Sequence, residues 1–165
     1  MGVGKTTLGK RLALALKMPF IDTDKLVEEG AGMPVEQIFE TRGEEAFRKM
    51  EADVLRTINN NAPSVVATGG GLPCYYNNMA FMNEHGFTTY IKAGPQFIYS
   101  RLIKAKKPRP LIKSLDKEEL LAFISEKISD RKAYYELSKL QINFPENNTE
   151  SLVNTIVSAY LKSKE

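Results

Sequence analysis

Residues 1–24, MGVGKTTLGKRLALALKMPFIDTD, decide the fold. Gly2-Val3-Gly4-Lys5-Thr6-Thr7 carries the second half of the phosphate-loop pattern G-x-x-x-x-G-K-[ST]. In such a loop glycines let backbone N–H groups approach phosphate oxygens, the lysine reaches the β- and γ-phosphates, and the hydroxyl is placed to hold Mg²⁺. The first glycine of the pattern, and the hydrophobic strand that delivers such a loop, would fall ahead of Met1. Leu8, Leu12 and Leu16 recur at four-residue steps with Lys10, Arg11 and Lys17 between them, which predicts an amphipathic helix from Lys5 to Leu16 ended by Pro19. The loop then lies at the favourable end of the helix dipole for an anion. A plain glycine turn before an ordinary helix is the alternative, but G-x-G-K-T-T at a helix start is rarely accidental.

PFIDTD, residues 19–24, reads as a short strand, which places Asp22 and Asp24 on one side of the chain at the strand's C-terminal edge. Ligands bind at that edge in open α/β sheets. One carboxylate can hold a metal, directly or through water, while the other accepts a hydroxyl proton. Taken alone, Asp24 reads better as the cap of a helix starting DKLVEEG; beside a phosphate loop, the catalytic reading leads.

Further along, Phe47, Met50, Val54 and Ile58 share one face of a helix from Gly43 to Asn59, followed by the turn NNNAP and a β-branched run, SVVATGGG. FTTYIKA and KLQINF are two more strands. Leu120, Ile124 and Ile128, then Leu152, Ile156 and Tyr160, mark two late helices. Strands alternating with helices predict a parallel sheet wrapped by helices, and 165 residues suit a single domain, 1–165, with a true core. Hydrophobic residues at 42% and charged residues at 26% are ordinary for a globular chain. One cysteine, Cys74, excludes an internal disulfide and suits a reducing cytoplasm. No apolar run approaches membrane-spanning length, so no membrane association is expected.

The formal charge is +3, yet residues 100–115, SRLIKAKKPRPLIKSL, hold Arg101, Lys104, Lys106, Lys107, Arg109 and Lys113 without an acid; removing those six charges leaves −3. Positive charge is local, which favours one anion-facing segment over a nucleic-acid-binding surface. Pro108 and Pro110 stiffen the chain around Arg109, as in a lid that carries an arginine to a transferring phosphoryl group; a solvated basic face is the near-even alternative. In FRKME, Arg48 and Glu51 stand three residues apart on one helical face, and Arg48 can present a planar fork to a carboxylate. From the pentapeptide alone, a surface ion pair is the better reading. ATGGGLP permits close backbone approach to a ligand, or is a plain turn. In SDRKAYYE, Arg131 can supply a second anion contact, while Tyr134 and Tyr135 read as core residues. His85 and Cys74 read as structural.

Taken in order, GVGKTTLG, DTD, FRKME, TGGGLP, RPLI and RKAYYE resemble the shikimate kinases, a branch of the nucleoside-monophosphate-kinase-like P-loop family, over nearly the whole chain. The resemblance implies transfer of the γ-phosphate of Mg-ATP to the 3-hydroxyl of shikimate, in the pathway to chorismate and the aromatic amino acids. It implies a three-layer α/β fold with a parallel sheet of order 2-3-1-4-5, a substrate-binding region at about 24–55 and a lid at about 103–115. By position, Lys5 resembles the phosphate-holding catalytic lysine, Thr6 the Mg²⁺ ligand, Asp22 its acidic second partner, and Asp24 the base that binds the reacting hydroxyl. Arg48 and Arg131 resemble the clamp on the shikimate carboxylate, with Gly70 and Gly71 beside the ring and Phe39 and Phe47 lining the pocket. Arg109 resembles the lid arginine that reaches ATP, and residues 143–148 fall where the family wraps adenine. No lid lysine aligns with the family's adenine-contacting arginine.

The family's first strand and first loop glycine are absent from these residues, and Met1 fits the slot of a methionine common in the family's loop. The expectation is that the chain as written is unfolded, aggregating or inactive, and that about ten upstream residues restore it. A monomer in the cytoplasm, with shikimate and ATP as its partners, is expected. A gluconate-kinase-like enzyme is the nearest alternative, a non-catalytic nucleotide-binding module a second, and an RNA-binding protein a third.

Overall fold

Two pairs of parallel strands, flanked by helices, organise the computed structural model, which describes residues 2–58, 62–104, 115–144 and 148–165. Helix α1 (Lys5–Leu16) follows the phosphate-loop residues directly and ends as Lys17 enters the left-handed region, φ 54°. The turn is closed by Lys17 N–H to Leu14 O, 3.2 Å, and Met18 N–H to Ala13 O, 2.9 Å. Pro19 comes two residues later, so the helix stops by its own backbone cap before the proline.

Strand β1 (Phe20–Asp22) is shorter than PFIDTD suggests, because Thr23 and Asp24 already belong to helix α2 (Thr23–Ala31). Asp22 and Asp24 are therefore not two residues of one strand edge. Asp22 takes the N-cap position with no capping side-chain bond, and Asp24 lies in the first helical turn. Helix α3 (Val35–Ile58) is two helical segments joined at Gly43, whose φ of 79° and ψ of 171° break the helical course. The expected helix from Gly43 onward is thus the second segment of a longer element.

Strand β2 (Val65–Ala67) pairs with β1 in parallel, Ile21 opposite Val66. A single 3₁₀ turn at Leu72–Cys74 leads to helix α4 (Asn78–His85). Strand β3 (Thr89–Ala93), helix α5 (Pro95–Ile103), helix α6 (Lys117–Tyr135), strand β4 (Leu140–Phe144) and helix α7 (Thr149–Lys162) complete the described chain. β3 and β4 pair in parallel with Ile91 opposite Ile142. Helix α6 starts from a reciprocal capping box between Asp116 and Glu119.

The apolar stripes meet as their spacing requires. Leu8 of α1 packs with Ile142 of β4 and Leu152, Val153 and Ile156 of α7. Ile98 and Leu102 of α5 pack on Leu120 and Ile124 of α6, and Val27 of α2 packs on Ile38 and Phe47 of α3. The two strand pairs are separate sheets, β1-β2 and β3-β4, so among the described residues β2 and β3 each have one strand partner. A cavity of about 750 Å³ is lined by both inner strands, including Val66 and Ile91, and by Leu8, Ile124 and Ile156 from the helices. It extends to Lys5, Gly70 and Arg131. No helix among the described residues is long and apolar enough to cross a membrane.

Candidate functional site

The phosphate loop is built by backbone conformation. Gly4, the residue before α1, has φ 91°, a left-handed conformation that a side chain would strain, and a Cβ there would meet the Arg101 guanidinium at 3.1 Å. Gly2 has φ 66°. Val3, Gly4 and Lys5 are half-buried, while Thr6 and Thr7 are exposed. The loop thus opens the first turn of a twelve-residue helix whose leading N–H groups lack intrahelical partners.

At the end of β1, Asp22 Oδ2 accepts a hydrogen bond of 3.0 Å from the Thr6 hydroxyl. Two consecutive elements, α1 and β1, thereby place one hydroxyl and one carboxylate together. These are hard oxygen donors, and the hydroxyl proton is directed at Asp22, so the hydroxyl lone pairs are left for a cation. Among the described residues no cluster of three or more His, Cys, Asp or Glu side chains forms a self-sufficient metal cage. A pair of oxygen donors fits a Mg²⁺ that takes its other ligands from phosphates and water.

The other half of the site centres on Arg48. Its side chain is 10% exposed; Nη1 donates to Glu51 Oε2 at 2.7 Å, and Nη2 and Nε donate to Glu44 Oε1 at 2.9 and 3.1 Å. The rings of Tyr75, Phe47 and Phe39 lie 4.7, 5.2 and 5.8 Å from its Cζ. A Cβ at Gly71 would fall on the guanidinium, so glycine there is what lets the turn after β2 lie against it. The surface ion pair that FRKME suggests in isolation is therefore a buried one, with the Glu51 side chain 1% exposed. Phe47 is a core residue whose ring centre lies 4.6 Å from that of the half-buried Phe39, the two planes tilted by 41°, and both rings border Arg48.

Burial pushes the Glu51 carboxyl up from its usual range; Arg48 pulls it back, and the charge of Asp24 adds to the rise. Asp24 is close because a Cβ at Gly69 would lie 2.5 Å from Glu51 Oε1 and 2.7 Å from Asp24 Oδ1. Among the described residues, Glu51 Oε1 is buried without a hydrogen-bond partner. The neighbouring turn is pinned by Gly69 N–H to Thr23 Oγ1, 3.1 Å, and by the Tyr135 hydroxyl to Gly70 O, 2.5 Å. Arg131 faces the same cluster from α6, where its charge lowers the Glu44 carboxyl and opposes the rise at Glu51 and Tyr135.

Lys5, Thr6, Asp22, Asp24, Arg48, Gly70, Gly71 and Arg131 therefore stand around one region where α1, α2, α3, the turn after β2 and α6 converge. Arg109 and most of the lid expected at 103–115 lie outside the described residues, as do residues 145–147 of the expected adenine segment. Sequence reasoning missed Glu44, whose four-residue spacing to Arg48 was visible, and the contact of Tyr135 with Gly70. Tyr135 does pack as expected, its ring 4.9 Å from that of Tyr90, but its hydroxyl also serves the site.

The shikimate kinase family profile matches residues 1–161. A shikimate kinase of Parabacteroides distasonis is 40% identical over 162 residues, 98% of this chain and 94% of that protein. One from Bacteroides fragilis is 42% identical over 135 residues, 82% of this chain and 75% of that protein. Among solved structures, the shikimate kinase of Bacteroides thetaiotaomicron superposes with a TM-score of 0.91 at 36% identity, covering 96% of this chain and 93% of that one. The shikimate kinase of Acinetobacter baumannii in complex with shikimate gives 0.88 at 30% identity, covering 99% and 90%.

Proposed function

The chain belongs to the shikimate kinase family, and from that premise we propose that it transfers the γ-phosphoryl group of ATP to the 3-hydroxyl of shikimate. The observation that carries the reading is the pairing of two unlike anion sites in one region: a glycine loop with Lys5 and Thr6 at a helix start, and the buried, ring-bounded Arg48 faced by Arg131. A phosphate chain suits the first. A single carboxylate on a neutral polyol ring suits the second.

In the reaction the bond from the acceptor oxygen to Pγ forms as the bond from Pγ to the ADP oxygen breaks. Asp24 takes the proton of the 3-hydroxyl, and the backbone N–H groups of residues 2–7 with Lys5 bind the phosphates. Thr6 and Asp22 would hold a Mg²⁺, which would supply charge neutralisation. Arg48 and Arg131 fix the acceptor through its carboxylate, and the Gly70-Gly71 backbone borders its ring. Arg109, outside the described residues, would by the family resemblance be the cation that reaches ATP. Turning the acceptor this way presents one hydroxyl to the base, so orientation selects which hydroxyl reacts.

Coupled measurement of ADP release with shikimate, gluconate and nucleoside monophosphates tests the reading. ATP-dependent turnover with shikimate alone is expected of the chain extended by about ten upstream residues that complete the phosphate loop. Turnover with gluconate or a nucleoside monophosphate and none with shikimate overturns it.

A further inference from the structure

The donors that Arg48 would offer to an acceptor carboxylate are already in use. Its Nε and Nη2 edge, the fork edge suited to a carboxylate, is closed by one oxygen of Glu44 at 3.1 and 2.9 Å, and the same oxygen accepts from the Tyr75 hydroxyl at 3.3 Å. Glu44 is the exposed member of the set, its side chain 55% accessible against 1% for Glu51 on the opposite Nη1 corner. It stands in the residue after the helix break at Gly43, at the beginning of the segment that carries Arg48. The charge of Arg131 reaches it as well and adds to the lowering of its carboxyl by Arg48.

We propose that Glu44 is an internal placeholder for the substrate carboxylate: it occupies the Arg48 fork while the acceptor site is empty and leaves when an acceptor carboxylate takes its position. This rests on the functional reading above and deepens it. An arginine this buried is costly without an anion beside it, and Glu51 engages only one corner. Exchange of one carboxylate for another keeps the fork paired in both states. Glu44 can turn outward into water because more than half of its side chain is already there, whereas Glu51 cannot. The exchange also makes the site selective by charge. A neutral polyol has nothing to replace Glu44 with, and a dianionic phosphate in that place meets the fixed Glu51 carboxylate close behind the guanidinium.

The test is calorimetric titration of wild type and Glu44→Gln with shikimate and, separately, with its uncharged methyl ester. Glu44→Gln retains size and helix propensity but weakens the competing ion pair. Tighter shikimate binding by about 2- to 10-fold is expected, the range for relief of one partly exposed pair, with no change for the ester. Weaker or unchanged shikimate binding in Glu44→Gln overturns the placeholder, because Glu44 then supports Arg48 or is idle. Equal tightening of acid and ester overturns it too, since the gain is then not carboxylate exchange. Wild-type protein that binds no shikimate overturns the functional reading and the placeholder with it.

Discussion

Asp24 lies in the first turn of α2, where a helix dipole already favours a carboxylate, so position alone suits a structural role as well as a chemical one. The substitution that separates them is Asp24→Asn. Asparagine retains the shape and local hydrogen bonding but cannot accept the hydroxyl proton. Turnover should fall by roughly 10²–10⁴-fold with nucleotide affinity unchanged, read by steady-state kinetics and ATP titration of the same preparation. Unchanged turnover assigns Asp24 to the helix start. Arg48 and Glu51 mark where reading residues in isolation reaches its limit. FRKME shows their spacing and hence their pairing, but the ring of Tyr75 and the turn at Gly71 that bury the pair come from a remote segment, and Phe39 from the other side of the helix break at Gly43. Glu44 was hidden for a related reason: an acid four residues before an arginine is ordinary on a helix surface, and only the convergence of Tyr75 and Arg131 on it marks it out.

At the scale of elements, periodic stripes were the readable part. α1 runs over Lys5–Leu16 as the leucine spacing requires, and β3, β4, α6 and α7 follow their apolar patterns. α4 was not legible, because only Asn78 and Met79 of it are buried and it carries no apolar stripe. The DTD stretch was misread because a three-residue strand hands over to a helix within it. The separation of β2 from β3 carries a prediction. Joining about ten residues ahead of Met1, including an apolar strand of about five, should stabilise the protein by on the order of 5–9 kcal/mol if three large aliphatic side chains enter the cavity. Thermal unfolding and kinase activity of the two lengths, side by side, check this. Equal melting temperature and equal turnover show that the space between the strand pairs is not a strand's place.

At the scale of the whole molecule, the parallel α/β architecture was legible from alternation, and the substrate from the ordered motifs, but the assembly of the site was not. Its groups come from α1, β1, α2, α3, the turn after β2 and α6, whose meeting is decided by packing, as Thr6 meets Asp22 and Tyr135 meets Gly70. The cavity of about 750 Å³ between the inner strands also has a mechanical consequence. Any part of that space that water does not enter is lost when the chain opens, so unfolding shrinks the system, and hydrostatic pressure drives a system toward its smaller volume. A strand that fills the dry part of this space should therefore raise the pressure at which the chain unfolds and make the volume change of unfolding smaller in magnitude. High-pressure tyrosine fluorescence reads this directly. Coinciding pressure midpoints would mean that water already fills the space, and squeezing, unlike heating, reports on that emptiness without touching the chemistry of a single side chain.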